Sequence, residues 1–164
     1  MGRILFYVIA FILVGSCKQQ GTKEVVEEKA EEFFSVDSLP RPNQINEEAM
    51  TILKEWQEYN SLETTFESLY RVANREDLEL VLEDLVEKQK TLEASTYPAT
   101  FDKPQVKSRQ KVFKTYILKT KGNLEYRDGT KAATMEMINA YNAFRNQFNV
   151  IVNSRLDTVL ILSE

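Results

Sequence analysis

The chain has 164 residues, a net charge of −4, one cysteine, no histidine and only five glycines. Without histidine there is no His-ligated zinc or haem, no His-based triad and no His-containing di-iron site of the helical-bundle kind. Few glycines and four prolines argue against a turn-rich all-β fold and against a Gly-loop nucleotide binder.

In chain order, Met1-Gly2-Arg3 is a short positive n-region, followed by the unbroken apolar run Ile4 to Val14, the small residues Gly15 and Ser16, and Cys17. A membrane-spanning helix needs roughly 20 apolar residues, so this run has the length of a signal-peptide h-region instead. Leu13-Val14-Gly15-Ser16-Cys17 resembles the lipobox of bacterial lipoproteins, with Val14 and Ser16 as mild departures from the commoner residues. The resemblance implies cleavage between Ser16 and Cys17, which takes Arg3 away and leaves the mature chain one charge more negative. It also implies a diacylglyceryl thioether on Cys17, often joined by an N-acyl chain, and hence a membrane partner. It explains a lone cysteine in an exported chain, where a disulfide would need a pair. Two or three acyl chains, at about 0.8 kcal/mol per buried CH₂, anchor durably where one does not. Lys18 stands where an aspartate retains many lipoproteins in the inner membrane, so the outer membrane of the cell envelope is favoured.

The segment Lys18 to Asn43 carries six acidic and four basic residues and ends in Pro40-Arg41-Pro42. That composition reads as a flexible, solvated tether. The expected organisation is therefore a signal peptide over 1–16, a lipidated cysteine and tether over 17–43, and a helical domain over 44–164.

From Ile45 the apolar residues follow a helical period. Ile45, Ala49, Ile52, Trp56, Tyr59, Phe66, Tyr70 and Ala73 describe one long helix with a near-heptad seam, capped by Asn46. Only Glu63 interrupts the seam, and Leu62 can take its place; a buried Glu63 would have a raised pKa. A second helix follows Asn74, with Leu78, Val81, Leu82, Leu85 and Leu92 inward. Residues 94–104 contain two prolines and form a loop. A third helix runs from about Gln105 towards Lys121 on Val106, Phe113, Tyr116 and Ile117, ending before Gly129. Thr130 is placed as the cap of a fourth, with Met137, Tyr141, Phe144, Phe148 and Ile151 as its seam. The final Val159-Leu160-Ile161-Leu162 either extends that helix or forms a tail. Four long helices with short connections give an all-α fold, an antiparallel bundle of about four helices.

Charge is uneven. Residues 44–93 hold 13 acidic and 5 basic side chains, and residues 102–131 hold 9 basic and 3 acidic ones. Lys107, Lys111, Lys114 and Lys121 share one side of the third helix, at 100° per residue. The stripe suits an anionic lipid or envelope glycan, or simply complements the acidic helices beside it. On the fourth helix Asn139, Asn142, Asn146, Asn149 and Asn153 recur at steps of three and four, opposite the aromatic seam. Asparagine is a mediocre helix former, and a solvated face more usually carries Lys and Glu. Three readings follow: a face for an envelope protein partner, a merely hydrophilic surface, or a surface covered by the tether or the C-terminal tail.

Candidate chemistry is sparse. Glu83, Asp84 and Glu87 lie at helical spacing without the loop of a calcium site, and Asn123 to Gly129 reads as a turn. No nucleophile–base pair, phosphate loop or metal motif is present, so neither an enzyme nor a cofactor is expected. An exported chain of net negative charge is not expected to bind nucleic acid. The expectation is a membrane-anchored envelope lipoprotein whose bundle binds another protein as subunit, adaptor or inhibitor. The alternative is a binder of a small ligand or an anionic lipid or glycan.

Overall fold

The computed structural model describes residues 33–162, with side chains through Ser154; the expected signal peptide, Cys17 and most of the expected tether lie outside the described residues. Among the described residues every regular element is helical: α1 (Glu47–Leu53), α2 (Gln57–Ser68), α3 (Arg75–Ala94), α4 (Pro104–Tyr126) and α5 (Thr130–Leu162), with 3₁₀ turns at Val36–Ser38 and Leu69–Arg71.

Cross-helix contacts fix the antiparallel order. Glu83 and Glu93 of α3 meet Lys121 and Lys114 of α4, so the numbers rise along one helix as they fall along the other. Thr120 of α4 donates to the Ala133 carbonyl of α5 at 3.1 Å. Tyr59 packs on Phe148 and Phe66 on Tyr141, which sets α2 antiparallel to α5. Between α2 and α5 the core is largely aromatic, with Tyr59, Phe66, Tyr141, Phe144 and Phe148 all fully buried. Ring pairs at 5–7 Å add about 0.5–1.5 kcal/mol each beyond burial.

Most expected core positions are buried: Leu78, Leu82, Leu85 and Leu92 on α3, Val106, Phe113 and Ile117 on α4, and Met137, Tyr141, Phe144 and Phe148 on α5. Asn74 caps α3, its Oδ1 accepting from the Asp77 N–H at 2.8 Å while the Asp77 carboxylate accepts from the Ala73 N–H at 3.0 Å. This reciprocal pairing satisfies donors that a helix start leaves open. Pro104 takes the first position of α4, where its missing N–H costs nothing.

Four boundaries differ from the sequence reading. The long first helix is broken: α1 stops at Leu53 and α2 starts after Trp56, whose backbone is extended. No glycine or proline lies at the break. Tertiary bonds hold it instead, with the Trp56 indole N–H donating to Ser95 Oγ at 2.9 Å and the Asn60 side chain donating to the Lys54 carbonyl at 2.8 Å. The far end of the same helix tightens into the 3₁₀ turn at Leu69–Arg71, which buries Val72 and leaves Ala73 exposed. At the α4–α5 turn, Arg127 and Gly129 both take left-handed backbone conformations, with φ of 55° each. The Gly129 carbonyl accepts the Ala133 N–H, so Gly129 rather than Thr130 precedes the first helical bond of α5. The backbone of α5 then continues as helix through Leu162, which decides between helix and tail.

The fourth difference is at the N-terminal side, where the chain packs before the expected tether ends. Leu39 is buried, the Pro40 carbonyl accepts from the Tyr70 hydroxyl at 2.6 Å, and the Arg41 guanidinium lies 4.4 Å from the centre of the Tyr70 ring. Residues 39–46 thus form an extended strap on the bundle. Leu39, the partly buried Ile45 and a string of backbone bonds replace the continuous apolar pattern that sequence reading relies on.

Candidate functional site

The strap is held by the asparagine row of α5. The Asn43 N–H donates to Asn142 Oδ1 at 2.7 Å. Asn149 binds the strap backbone twice: its Oδ1 accepts the Asn46 N–H at 2.9 Å, and its Nδ2 donates to the Gln44 carbonyl at 3.1 Å. Asn153 Oδ1 accepts from the Asn46 side chain at 3.1 Å, and the Asn46 Oδ1 in turn caps α1 by accepting the Ala49 N–H at 2.8 Å. A primary amide carries a donor and an acceptor side by side, the pairing that an extended peptide edge presents. That explains asparagine, rather than lysine or glutamate, at these positions.

Arg145 locks the same segment from beneath. Its Nε donates to the Asn43 carbonyl at 2.9 Å, and its Nη1 pairs with Glu63 and reaches the Tyr141 hydroxyl at 3.5 Å. The Arg145 side chain is 10% exposed and that of Glu63 22%, so the pair is largely withdrawn from water. Burial by itself lowers the basicity of the guanidinium, but the hydrogen bond to Tyr141 and the charge of Glu63 keep it protonated. Burial pushes the Tyr59 and Tyr141 phenols well up, so both stay neutral. Glu63 is thus a half-buried ion-pair partner at the edge of the seam, and Leu62 occupies the core position beside it.

The five asparagines therefore divide. Asn142, Asn149 and Asn153 serve the chain's own strap, whereas Asn139 and Asn146 are exposed. At 100° per residue these two share a face with Met135, Ala143 and Val150, and Met135 and Val150 are 39% and 49% exposed. Of the charges beside this face, Glu136 is committed to Lys119, Arg145 turns away to Glu63, and exposed Lys131 lies one turn before Met135 at the N-terminal end. An uncharged strip thus runs along α5, bordered by the strap.

The lysine stripe is mostly internal complement. Lys107 pairs with Asp102, Lys114 with Glu93 and Lys121 with Glu83. The hydrogen bond to Glu83 raises the Lys121 pKa. Lys111 is exposed without an ion pair, at the edge of a cleft of about 380 Å³ beside Tyr97, Asp102, Lys107 and Gln110. The Tyr97 hydroxyl donates to Gln110 Oε1, and burial raises the Tyr97 phenol. Gln110 Nε2 is buried without a hydrogen-bond partner, as is Oε1 of the neighbouring Gln89, whose Nε2 donates to the Gln110 carbonyl at 3.2 Å.

The acidic side chains singled out on α3 are likewise in separate pairs: Glu83 with Lys121, Glu87 with Lys90, and Asp84 with Lys88 and the Thr65 hydroxyl. Among the described residues there is no group of acidic, Cys or His side chains placed to hold a metal ion, and no helix long and apolar enough to cross a membrane. Of the turn expected at Asn123 to Gly129, Asn123 to Tyr126 instead form the last turn of α4, and only Arg127 to Gly129 leave the helix, closed by the Asp128 N–H on the Asn123 carbonyl.

Sequence reasoning did not single out Gln89, Gln110 or Arg145. A signal for each exists in the spacing. Leu85-Gln89-Leu92 and Val106-Gln110-Phe113 put an amide at a seam position, and Arg145 follows Tyr141 by one helical turn. No family model, curated protein or solved structure matches this chain.

Proposed function

We propose that this chain is a lipid-anchored bacterial envelope protein whose helical bundle binds another envelope protein through the uncharged strip of α5. The reading is non-enzymatic: a subunit, adaptor or inhibitor held near a bilayer by acylated Cys17. The anchor rests on the lipobox resemblance over Leu13 to Cys17. The binding role rests on one observation above the rest. A strip holding Met135, Asn139, Ala143, Asn146 and Val150 has no unpaired charge, on a chain where 28% of all residues are charged. Charge depletion with exposed methionine is what the centre of a protein interface carries.

Crosslinking in intact cells of the native host, followed by purification and mass spectrometry, tests both parts. The expected result is one partner in near-stoichiometric amount, joined through α5 and lost from Asn139→Lys and Asn146→Glu variants that fold normally. A Cys17→Ser chain exported by a cleavable non-lipoprotein signal should lose membrane association. Partner recovery unchanged by the α5 variants removes the strip from the reading, and membrane retention of Cys17→Ser removes the anchor.

A second reading is supported by the cleft at Lys111, where an unpaired cation lies near a buried amide N–H lacking an acceptor. In that reading the cleft takes a small anion, or an anionic headgroup or glycan end. Binding should weaken with added salt and in Lys111→Gln, with Lys107 and Lys114 contributing less because each already has a carboxylate. Binding of inorganic phosphate or anionic vesicles that ignores both changes would discard it.

A further inference from the structure

We infer that the α5 asparagine row accepts residues 39–53 from a second copy of this chain as well as from its own, so that two molecules exchange strap and α1.

Three observations carry this. First, the strap is recognised mainly through its backbone. Asn142, Asn149 and Arg145 bind the main chain of residues 43–46, and the remaining contacts are those of an identical sequence in another copy. A swapped segment recovers every one of them, which makes exchange of identical elements a low-cost route to a dimer.

Second, the joint between α1 and α2 has no local reason to bend. Leu53-Lys54-Glu55-Trp56 contains neither glycine nor proline, and the apolar period from Ile45 to Tyr59 continues through it. What holds the bend is tertiary: Trp56 on Ser95, and Asn60 on the Lys54 carbonyl. Straightened, residues 47–68 form one helix about 33 Å long at 1.5 Å per residue. Residues 47–56 then project about 15 Å beyond α2, which carries Asn43 and Asn46 past the level of Asn142 and Asn149 on the chain's own α5.

Third, half of the hydrogen bonds to be released are wet, those joining Asn46 to Asn149, Arg145 to Asn43 and Tyr70 to Pro40 being part-buried. The bonds from Asn43 to Asn142, from Asn46 to Asn153 and from Asn149 to Gln44 are solvent-exposed, so water replaces them during exchange. The cost of opening lies chiefly in Leu39, Ala49 and Leu53, which are buried, and in the partly buried Ile45 and Ile52, all of which are covered again in the partner. The helical bonds formed across the joint offset part of that cost. None of this depends on lipid attachment or on another protein.

The test uses full-length chains carrying Cys17→Ser, in two epitope-tagged forms purified in detergent. One carries Asn43→Cys and the other Asn142→Cys. They are mixed, incubated and closed with a short bis-thiol reagent. The expected product is a two-tag crosslinked dimer, at least tenfold more abundant than with Leu80→Cys on exposed α3 in place of Asn142→Cys. Asn60→Ala, which frees the Lys54 carbonyl, should raise its yield. Glu55→Gly, which weakens the continuous helix, should lower it. Crosslinking confined to single chains carrying both cysteines, or an equal yield with Leu80→Cys, overturns the inference. Light scattering gives an independent decision: monomer mass at every concentration overturns it, and a dimer population reduced by Glu55→Gly supports it. Loss of a hetero-partner in cells leaves this result untouched, so the two readings fail separately.

Discussion

Two asparagines less than one helical turn apart on α5 should respond oppositely to the same substitution. Asn149→Ala removes an acceptor from the Asn46 N–H and a donor from the Gln44 carbonyl. At about 1 kcal/mol net per hydrogen bond, reduced because the Gln44 carbonyl remains open to water, the loss is about 1.5 kcal/mol. Alanine returns about 0.6 kcal/mol as the better helix former, leaving a net destabilisation near 0.9 kcal/mol. Asn146 is exposed, so Asn146→Ala keeps only the propensity gain of about 0.6 kcal/mol. The two variants should differ by about 1.5 kcal/mol, which at a urea slope of about 2 kcal/mol per M separates their midpoints by about 0.7 M. Urea unfolding followed by Trp56 fluorescence reads this, since the chain's single tryptophan is buried beside the strap's end of the bundle. Amide hydrogen exchange at Asn46 gives a local check: it should accelerate in Asn149→Ala and not in Asn146→Ala. Equal midpoints with unchanged exchange would refute the clasp.

Two further outcomes follow from the buried polar groups. Arg145→Met strands Glu63 and the Asn43 carbonyl and should cost about 3 kcal/mol, the low end for a broken buried pair because Glu63 retains some water. Measured with Glu63→Gln in a double-mutant cycle, the two changes should be clearly non-additive; simple additivity would mean that the pair is not coupled. Burial raises the phenol pKa of Tyr59, Tyr70, Tyr97 and Tyr141, whereas the unfolded chain ionises them near about 10. Above that pH the folded state binds more protons than the unfolded one, so stability is flat below it and falls as pH rises through and beyond it. Tyr59→Phe removes a buried hydroxyl without a well-formed partner and should make that alkaline fall shallower. An unchanged slope would place the Tyr59 phenol in contact with water.

How legible each part was follows from where its information lies. Leu78, Leu82, Leu85 and Leu92 turn inward because a 3.6-residue repeat on one helix needs no knowledge of its neighbours. Asn74 and Pro104 mark helix starts for equally local reasons, one supplying an acceptor and the other a preset φ. The lysine stripe was legible as a stripe but not as a set of pairs. Which lysine meets Glu83, Glu93 or Asp102 depends on the vertical register of α3 against α4, and side-chain packing sets that register.

The sequence by itself determined the helical periods, the caps at Asn46 and Asn74, the loop at residues 94–104 and the charge asymmetry, because each is written within about a dozen neighbouring residues. Tertiary structure alone decided the bend after Leu53 and the fate of the asparagine row. At the bend, good local helix formers yield to Trp56, whose indole gains a buried place and a hydrogen bond on Ser95. In the row, Asn142, Asn149 and Asn153 are distinguished from Asn139 and Asn146 only by which side of α5 the strap crosses. The strap's partners lie some hundred positions away, and backbone hydrogen bonds over that span leave no period in the sequence to read.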